Sequence, residues 1–194
     1  MSMRKVFTYT MSAALLGLAG LSIWLLTDEV NTQHMRRADI TDVEFPEMLP
    51  EHASADFLDA LATRALEAPD NLLDLSENAT LLSIEKEPRR TSNWNRLAYI
   101  DVARNGELTD TGLNALRQSF YLSPYGEVED MQWRLQFTNA YWSHLPDDLK
   151  TQSLDQITAL AASTRREHRW LSTFAESANA EISDRINQSL EGIT

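Results

Sequence analysis

Apolar residues recur every three to four positions through most of this chain, which is the period of an α-helix. Residues 54–67 carry such a stripe on one helical face, and Pro69 marks the turn that follows. Residues 72–86 continue the pattern as far as Pro88. The two stretches predict a pair of helices joined by a short turn.

The stretch 94–124 predicts a second helical hairpin. Its first helix ends at Gly106, because glycine adopts the left-handed conformation of a helix end at little cost. Thr109 or Asp110 can cap the second helix, which stops before a proline. Three small residues predict a close approach of the two helices: Gly112, Ala115 and Ser119. One hairpin cannot bury its own apolar faces, so stacked neighbours are expected.

Three more helices are predicted towards the C-terminus, over residues 127–143, 146–162 and 165–190. The last carries an apolar residue at nearly every fourth position, as a capping helix in a helical array would. The first of the three helices, over residues 127–143, carries an aromatic stripe made of Trp133, Phe137 and Tyr141. A stripe of this kind can stack on a ligand, but helical spacing favours a place in the core.

Residues 6–26 contain no charged side chain, and as a helix they would span about 30 Å, the thickness of a hydrocarbon core. This run predicts a membrane anchor. The alternative is a cleaved signal peptide ending near Ala19, but the apolar residues after that site favour an uncleaved segment. Arg4 and Lys5 precede the run and acidic residues follow it, so the N-terminus is expected in the cytoplasm and the rest in the periplasm.

Residues 28–52 lack a sustained period and contain two prolines, which predicts a tether. Its apolar residues could dock on the first helices: Val43, Phe45, Met48 and Leu49. The expected organisation is therefore an anchor in residues 1–27, a tether in residues 28–52 and a helical domain in residues 53–194.

The composition of the chain argues against several classes of function. The net charge of −12 argues against nucleic-acid binding, which needs clustered lysines and arginines. Cysteine is absent, and no two of the four histidines have metal-ligand spacing on one helix, so no cofactor or metal is expected. Asp101, between two apolar residues, is the one candidate for a catalytic acid, and the alternative is an acid that contacts a loop.

The spacing within the central hairpin resembles a tetratricopeptide repeat. The positions that carry the resemblance are Trp94, Leu97 and Ala98 in the first helix and Gly112, Leu116, Ser119 and Pro124 in the second. Ala98 stands where the repeat has glycine, and Asp101 stands where it has an aromatic residue. The resemblance implies an all-α fold of stacked hairpins in an α-α superhelix. A plain bundle of helical hairpins is the alternative.

The same resemblance implies protein–protein interaction, through a groove lined by the first helix of each hairpin. The positions that correspond to this groove are Asn95, Tyr99, Val102, Met131, Leu135 and Thr138. We therefore expect a membrane-anchored scaffold or adaptor, and not an enzyme, in a bacterial envelope complex such as one that makes or exports surface polymers. The alternatives are an envelope enzyme with an unrecognised helical active site and an obligate subunit of a membrane complex.

Overall fold

The structure is a computed structural model that describes residues 22, 25–70 and 72–192. Within these residues all regular secondary structure is helical, so the expectation of an all-α fold is confirmed. The described residues up to Pro88 form one compact unit, and those from Arg89 onward form a second.

The first unit is built around a hairpin of helices α2 (Ala55–Glu67) and α3 (Leu73–Lys86). Ser54 caps α2, because its side chain accepts a hydrogen bond from the backbone N–H of Phe57 at 3.1 Å. The apolar stripe of α2 is buried as predicted, and Leu58 and Leu61 are fully buried.

The predicted tether is partly a docked helix. Helix α1 covers residues 25–37, a short 3₁₀ turn follows at Ile40–Asp42, and Met35 is buried in the core of the first unit. Arg64 of α2 donates hydrogen bonds to three carbonyl oxygens at the C-terminal end of α1: those of Met35 at 2.8 Å, Arg36 at 2.9 Å and Ala38 at 2.6 Å. A cation at this end of a helix satisfies its unpaired carbonyls and its dipole. Of the four tether residues expected to dock, three pack against this core and Met48 remains exposed.

The second unit contains six α-helices in its described residues. They are α4 (Thr91–Asn105), α5 (Asp110–Leu122), α6 (Val128–Ala140), α7 (Asp147–Ala161), α8 (Arg165–Ala175) and α9 (Ala180–Glu191). Helices α4 and α5 form the predicted central hairpin. Gly106 ends α4 in the left-handed region with φ of 74°, and the Thr109 side chain caps α5 by accepting a hydrogen bond from the N–H of Thr111.

Two apolar clusters hold the second unit together. The first joins α4, α5, α6 and the start of α7 through Ala98, Val102, Ala115, Leu116, Phe120, Phe137, Leu145 and Leu149. Trp94 is half-buried and packs against the side of this cluster. The second cluster joins α6 to the last three helices through Met131, Leu135, Ile157, Leu160, Ala161, Leu171, Ile182 and Ile186.

The helix predicted over residues 165–190 is interrupted, and this prediction is wrong at residues 176–179. Asn179 caps α9, because its side chain accepts a hydrogen bond from the N–H of Ile182 at 3.1 Å. The Oδ1 atom of Asn139 on α6 accepts hydrogen bonds from the backbone N–H of Asn179 at 2.8 Å and from its side chain at 2.9 Å. The break lets α9 pack on both α7 and α8, which buries Ile182 and Ile186.

Within the described residues, no helix is both long enough and apolar enough to cross a membrane. The anchor predicted over residues 6–26 lies outside those residues, apart from Ser22, Leu25 and Leu26.

Candidate functional site

The residues predicted to contact a partner differ sharply in exposure. Five of the six side chains are buried, namely Asn95, Val102, Met131, Leu135 and Thr138. Tyr99 is 43% exposed. Met131 and Leu135 belong to the apolar cluster that joins α6 to the last three helices, and Val102 belongs to the other cluster. Direct contact with a partner is therefore open to Tyr99 alone among them.

Asn95 links three helices instead of facing a groove. Its Nδ2 atom donates a hydrogen bond to Oδ1 of Asp130 on α6 at 3.1 Å. Its Oδ1 atom accepts one from the hydroxyl of Ser119 on α5 at 2.5 Å. A buried amide needs such partners, because an unsatisfied polar group inside a protein is destabilising. The side chain therefore fixes α4 against α5 and α6.

Arg134 of α6 lies at the centre of the same polar network, which we call the Asn95–Arg134 network and which also contains Ser119 and Asp130. The guanidinium is fully buried and donates to the Ser119 carbonyl at 3.0 Å, the Ser119 hydroxyl at 3.1 Å and the Ser123 carbonyl at 2.9 Å. It also lies 4.8 Å from the ring centroid of Phe120, as a cation–π pair does. The positive charge is thus placed at the C-terminal end of α5, where the helix dipole favours it.

Burial shifts the pKa of both charged groups of the network, Arg134 and Asp130. Removal from water lowers the pKa of Arg134 to about 10, and the nearby Asp130 carboxylate opposes this shift. Burial also raises the pKa of Asp130 above its usual value, although the charge of Arg134 and the hydrogen bond from Asn95 act in the opposite direction. Among the described atoms, the Nε atom of Arg134 finds no acceptor. The network is therefore held together against a substantial desolvation penalty.

Asp101, the candidate catalytic acid, contacts a loop. Its carboxylate accepts hydrogen bonds from the backbone N–H of Thr109 at 2.8 Å, from the Thr109 hydroxyl at 2.7 Å and from the Asn105 side chain at 3.0 Å. Gly112 lies directly beside it, and a Cβ atom at that position would overlap the carboxylate. These contacts give the side chain a structural role at the turn between α4 and α5.

The aromatic stripe of α6 belongs to the core, as its helical spacing predicted. Phe137 is buried within the first cluster of the second unit, and Trp133 and Tyr141 pack beside it. The ring centroids lie 4.8 Å apart for Trp133 and Phe137, and 5.0 Å apart for Phe137 and Tyr141. These separations are typical of stacked and tilted aromatic pairs in protein interiors.

Two further tyrosines are more exposed than Tyr99, and the sequence reasoning did not single them out. Tyr121 is 81% exposed at the end of α5, and Tyr125 is 61% exposed in the turn before α6. The sequence carried a signal for both. Tyr121 falls outside the apolar stripe of its helix, and Tyr125 directly follows the proline that ends it.

Histidine and acidic side chains do not converge on a metal site in the part of the chain that the structure describes. Glu167 is buried and accepts a hydrogen bond from the hydroxyl of Thr164, the residue that caps α8. A ring nitrogen of His168 contacts the carbonyl oxygen of Ala161. Both residues secure the junction between α7 and α8.

The first unit contains an open cavity of about 290 Å³ between α1 and the chain that enters α2. Its lining is Thr27, Asp28, Asn31, Pro50, Glu51, His52, Ala53 and Phe57. Asp28 is engaged there, because its Oδ1 atom accepts a hydrogen bond from the backbone N–H of Ser54 at 3.3 Å.

Comparison of the chain with protein-family models, with curated proteins and with solved structures finds no match in any of the three. The arguments for a function therefore rest on the residues and contacts described above.

Proposed function

We propose that this chain is a membrane-anchored scaffold or adaptor of the bacterial envelope, and that it binds a protein partner through the exposed side of α4. The observation that carries the proposal is the exposure of Tyr99. Every other residue between Thr91 and Val102 is buried or half-buried, whereas Tyr99 is 43% exposed. Tyrosine offers a large, stiff ring with a polar tip and is enriched among the residues that dominate binding energy.

The framework behind Tyr99 supports a binding role. Helix α4 is held on one side by the carboxylate of Asp101 at the turn into α5 and on another by the amide of Asn95. A side chain that projects from a helix fixed in this way loses little conformational freedom on binding, and this raises affinity. The proposal is also supported by the resemblance to a tetratricopeptide repeat, in which the position that corresponds to Tyr99 faces the partner.

The membrane part of the proposal rests on residues 6–26, whose uncharged sequence has the length of a bilayer span. We expect the intact chain to stay with membranes after an alkaline wash, with its C-terminal part accessible to protease from the periplasmic side. A soluble product that lacks the first twenty or so residues would instead identify a cleaved signal peptide.

The binding part is tested by isolating the full-length chain from membranes in mild detergent, as wild type and as Tyr99→Ala. We expect one stoichiometric partner with the wild type and a roughly thirtyfold weaker association with the variant, since a binding hot spot contributes about 2 kcal/mol or more. The melting temperature should not change. Tyr125→Ala, at a tyrosine outside α4 that is 61% exposed, is the matched control and should retain the partner.

Equal capture of the partner by wild type and Tyr99→Ala would exclude this face of α4. Absence of any stoichiometric partner, together with turnover of cell-wall material, would instead support the envelope enzyme.

A further inference from the structure

The described part of helix α1, residues 25–37, starts inside the uncharged run and continues well beyond it. Leu25 and Leu26 are the last residues of that run, and the helix extends from there to Arg37. Leu26 is 65% exposed and Val30, one turn later, is 63% exposed. At 100° per residue these two side chains lie on one side of the helix, and the buried Thr32 and Met35 lie on the other. The docked helix thus leaves two apolar side chains uncovered on one side, one at the end of the predicted span and one a turn beyond it.

The same helix is fastened to α2 at two points. Arg64 binds the carbonyl oxygens at its C-terminal end, and Asp28 accepts the hydrogen bond from the N–H of Ser54, the cap of α2. Met35 adds an apolar contact in the core of the unit. The first unit is therefore fixed to residues 25–37 of α1.

We infer that the first unit is seated on the bilayer surface, where phospholipid headgroups cover α1 as far as Val30 and reach the N-terminal end of α2. This inference rests on the proposed membrane anchor and deepens it. With a rise of 1.5 Å per residue, Asp28 lies about 3 Å and Val30 about 6 Å beyond Leu26. The headgroup layer on each side of a bilayer is about 5–8 Å thick. Asp28, with the Ser54 that it binds, and Val30 therefore lie at headgroup depth.

Distance along the helix decides what lies outside the lipid. Arg37, exposed on the same side of α1 as Val30, is about 16 Å beyond Leu26, and a helix tilt of 40° still leaves about 13 Å. A flexible tether over residues 28–52 would not hold the first unit at this depth, because a coil of that length has an average end-to-end distance of about 25–30 Å. The cavity beside Asp28 lies at the level of the headgroups, so phospholipid headgroups are the molecules that meet it.

The chain has no cysteine, so one introduced thiol can carry a nitroxide spin label without further changes. The full-length protein is reconstituted in phospholipid vesicles as four single variants: Leu25→Cys, Val30→Cys, Glu51→Cys and Arg37→Cys. Collision of each label with oxygen, which concentrates in lipid, is compared with collision with a water-soluble nickel chelate. We expect the labels at positions 30 and 51 to collide with nickel several-fold less than the label at position 37, which is the matched control on the same helix face.

The labels at positions 30 and 51 could prove as accessible to nickel as the label at position 37, while the label at position 25 stays in lipid. This result would overturn the contact between the first unit and the headgroups and leave the anchor intact. Water exposure at all four positions would overturn both the seating and the anchor. The two failures are thus distinguished by position 25.

Discussion

The carboxylate of Asp101 holds both polar groups of Thr109, with its Oδ2 atom 2.8 Å from the backbone nitrogen and its Oδ1 atom 2.7 Å from the hydroxyl. Thr109 is the residue that caps α5, so one side chain from the last turns of α4 positions the start of the next helix. The turn between the two helices is therefore set by a carboxylate in addition to the left-handed Gly106.

Replacement of that carboxylate should weaken the central hairpin. Asp101→Ala removes two hydrogen bonds between a carboxylate and the half-buried Thr109, and the expected loss is about 1.5–3 kcal/mol, the range for hydrogen bonds to a charged group. Urea unfolding should show this loss in the free energy of unfolding. The control is Asp155→Ala, which removes a surface carboxylate 3.9 Å from Arg185 and should cost less than about 1 kcal/mol. Equal stability of the two variants would mean that the turn does not depend on Asp101.

A side chain at position 112 should destabilise the central hairpin. A Cβ atom there would overlap the Asp101 carboxylate and would lie 2.6 Å from Cδ1 of Leu108. We expect Gly112→Ala to lower the free energy of unfolding by about 1–3 kcal/mol, the range for overpacked sites, despite the better helix propensity of alanine. The matched change is Gly192→Ala, where the nearest atom to the new Cβ would be the Gln188 carbonyl oxygen at 3.7 Å. That variant should melt within a few degrees of wild type, and similar losses from both would refute the close approach at Gly112.

The buried guanidinium of Arg134 should contribute far more to the stability of the fold than a guanidinium at the surface. Arg134→Ala removes three hydrogen bonds to Ser119 and Ser123 and opens a cavity beside Phe120, and the expected loss is about 3–5 kcal/mol. The comparison is Arg117→Ala, which breaks an exposed ion pair with Asp148 and should cost less than about 1 kcal/mol. Thermal unfolding of both variants measures the difference, and a mild effect at position 134 would show that other contacts hold α6 in place.

Asp130 should make stability depend on pH in the direction opposite to Asp148. Burial raises the pKa of Asp130, so its stabilising contribution is present below the unfolded value near 3.8 and is lost as pH rises through the folded value. Asp130→Asn should therefore raise the free energy of unfolding at pH 7, and the difference from wild type should shrink as the pH falls towards 3.8.

The pKa of Asp148 is lowered, chiefly by its hydrogen bond from Arg117, so its contribution is present above pH 3.8 and is lost on acidification below it. Asp148→Asn should accordingly reduce stability at pH 7, and this loss should disappear in acid. Denaturant titrations of wild type and both variants from pH 3 to pH 7 test the two signs. A stabilising effect of Asp130→Asn that stays constant over this range would contradict a raised pKa.

The elements that the sequence predicted best are those made by neighbours along the chain. Ser54 bonds to a residue three positions away, and Thr109 bonds to one two positions away. The left-handed residue that ends α4 is a glycine, which adopts this conformation at little cost. Cap and turn residues of this kind act within one helical turn, so the order of residues alone reveals them.

Exposure of the predicted partner-binding residues depended on distant parts of the chain. Asn95 is polar and was expected to face a groove, but its two hydrogen-bond partners are 24 and 35 residues away. Met131 and Leu135 were expected in the groove by their place on a first helix, and they are covered by the later helices. Tyr99 alone has the exposure that the resemblance to the repeat implied.

The sequence by itself determined the all-α class, the central hairpin and the placement of the aromatic stripe in the core, because helical period and capping are local properties. Only the tertiary structure decided that residues 28–37 are a docked helix and that the last predicted helix breaks before Asn179. The first depends on Arg64, which is 29 residues beyond Met35, and the second on Asn139, which is 40 residues before Asn179. The energy of such contacts appears only once folding brings the partners together, and a pattern read along the chain cannot contain it.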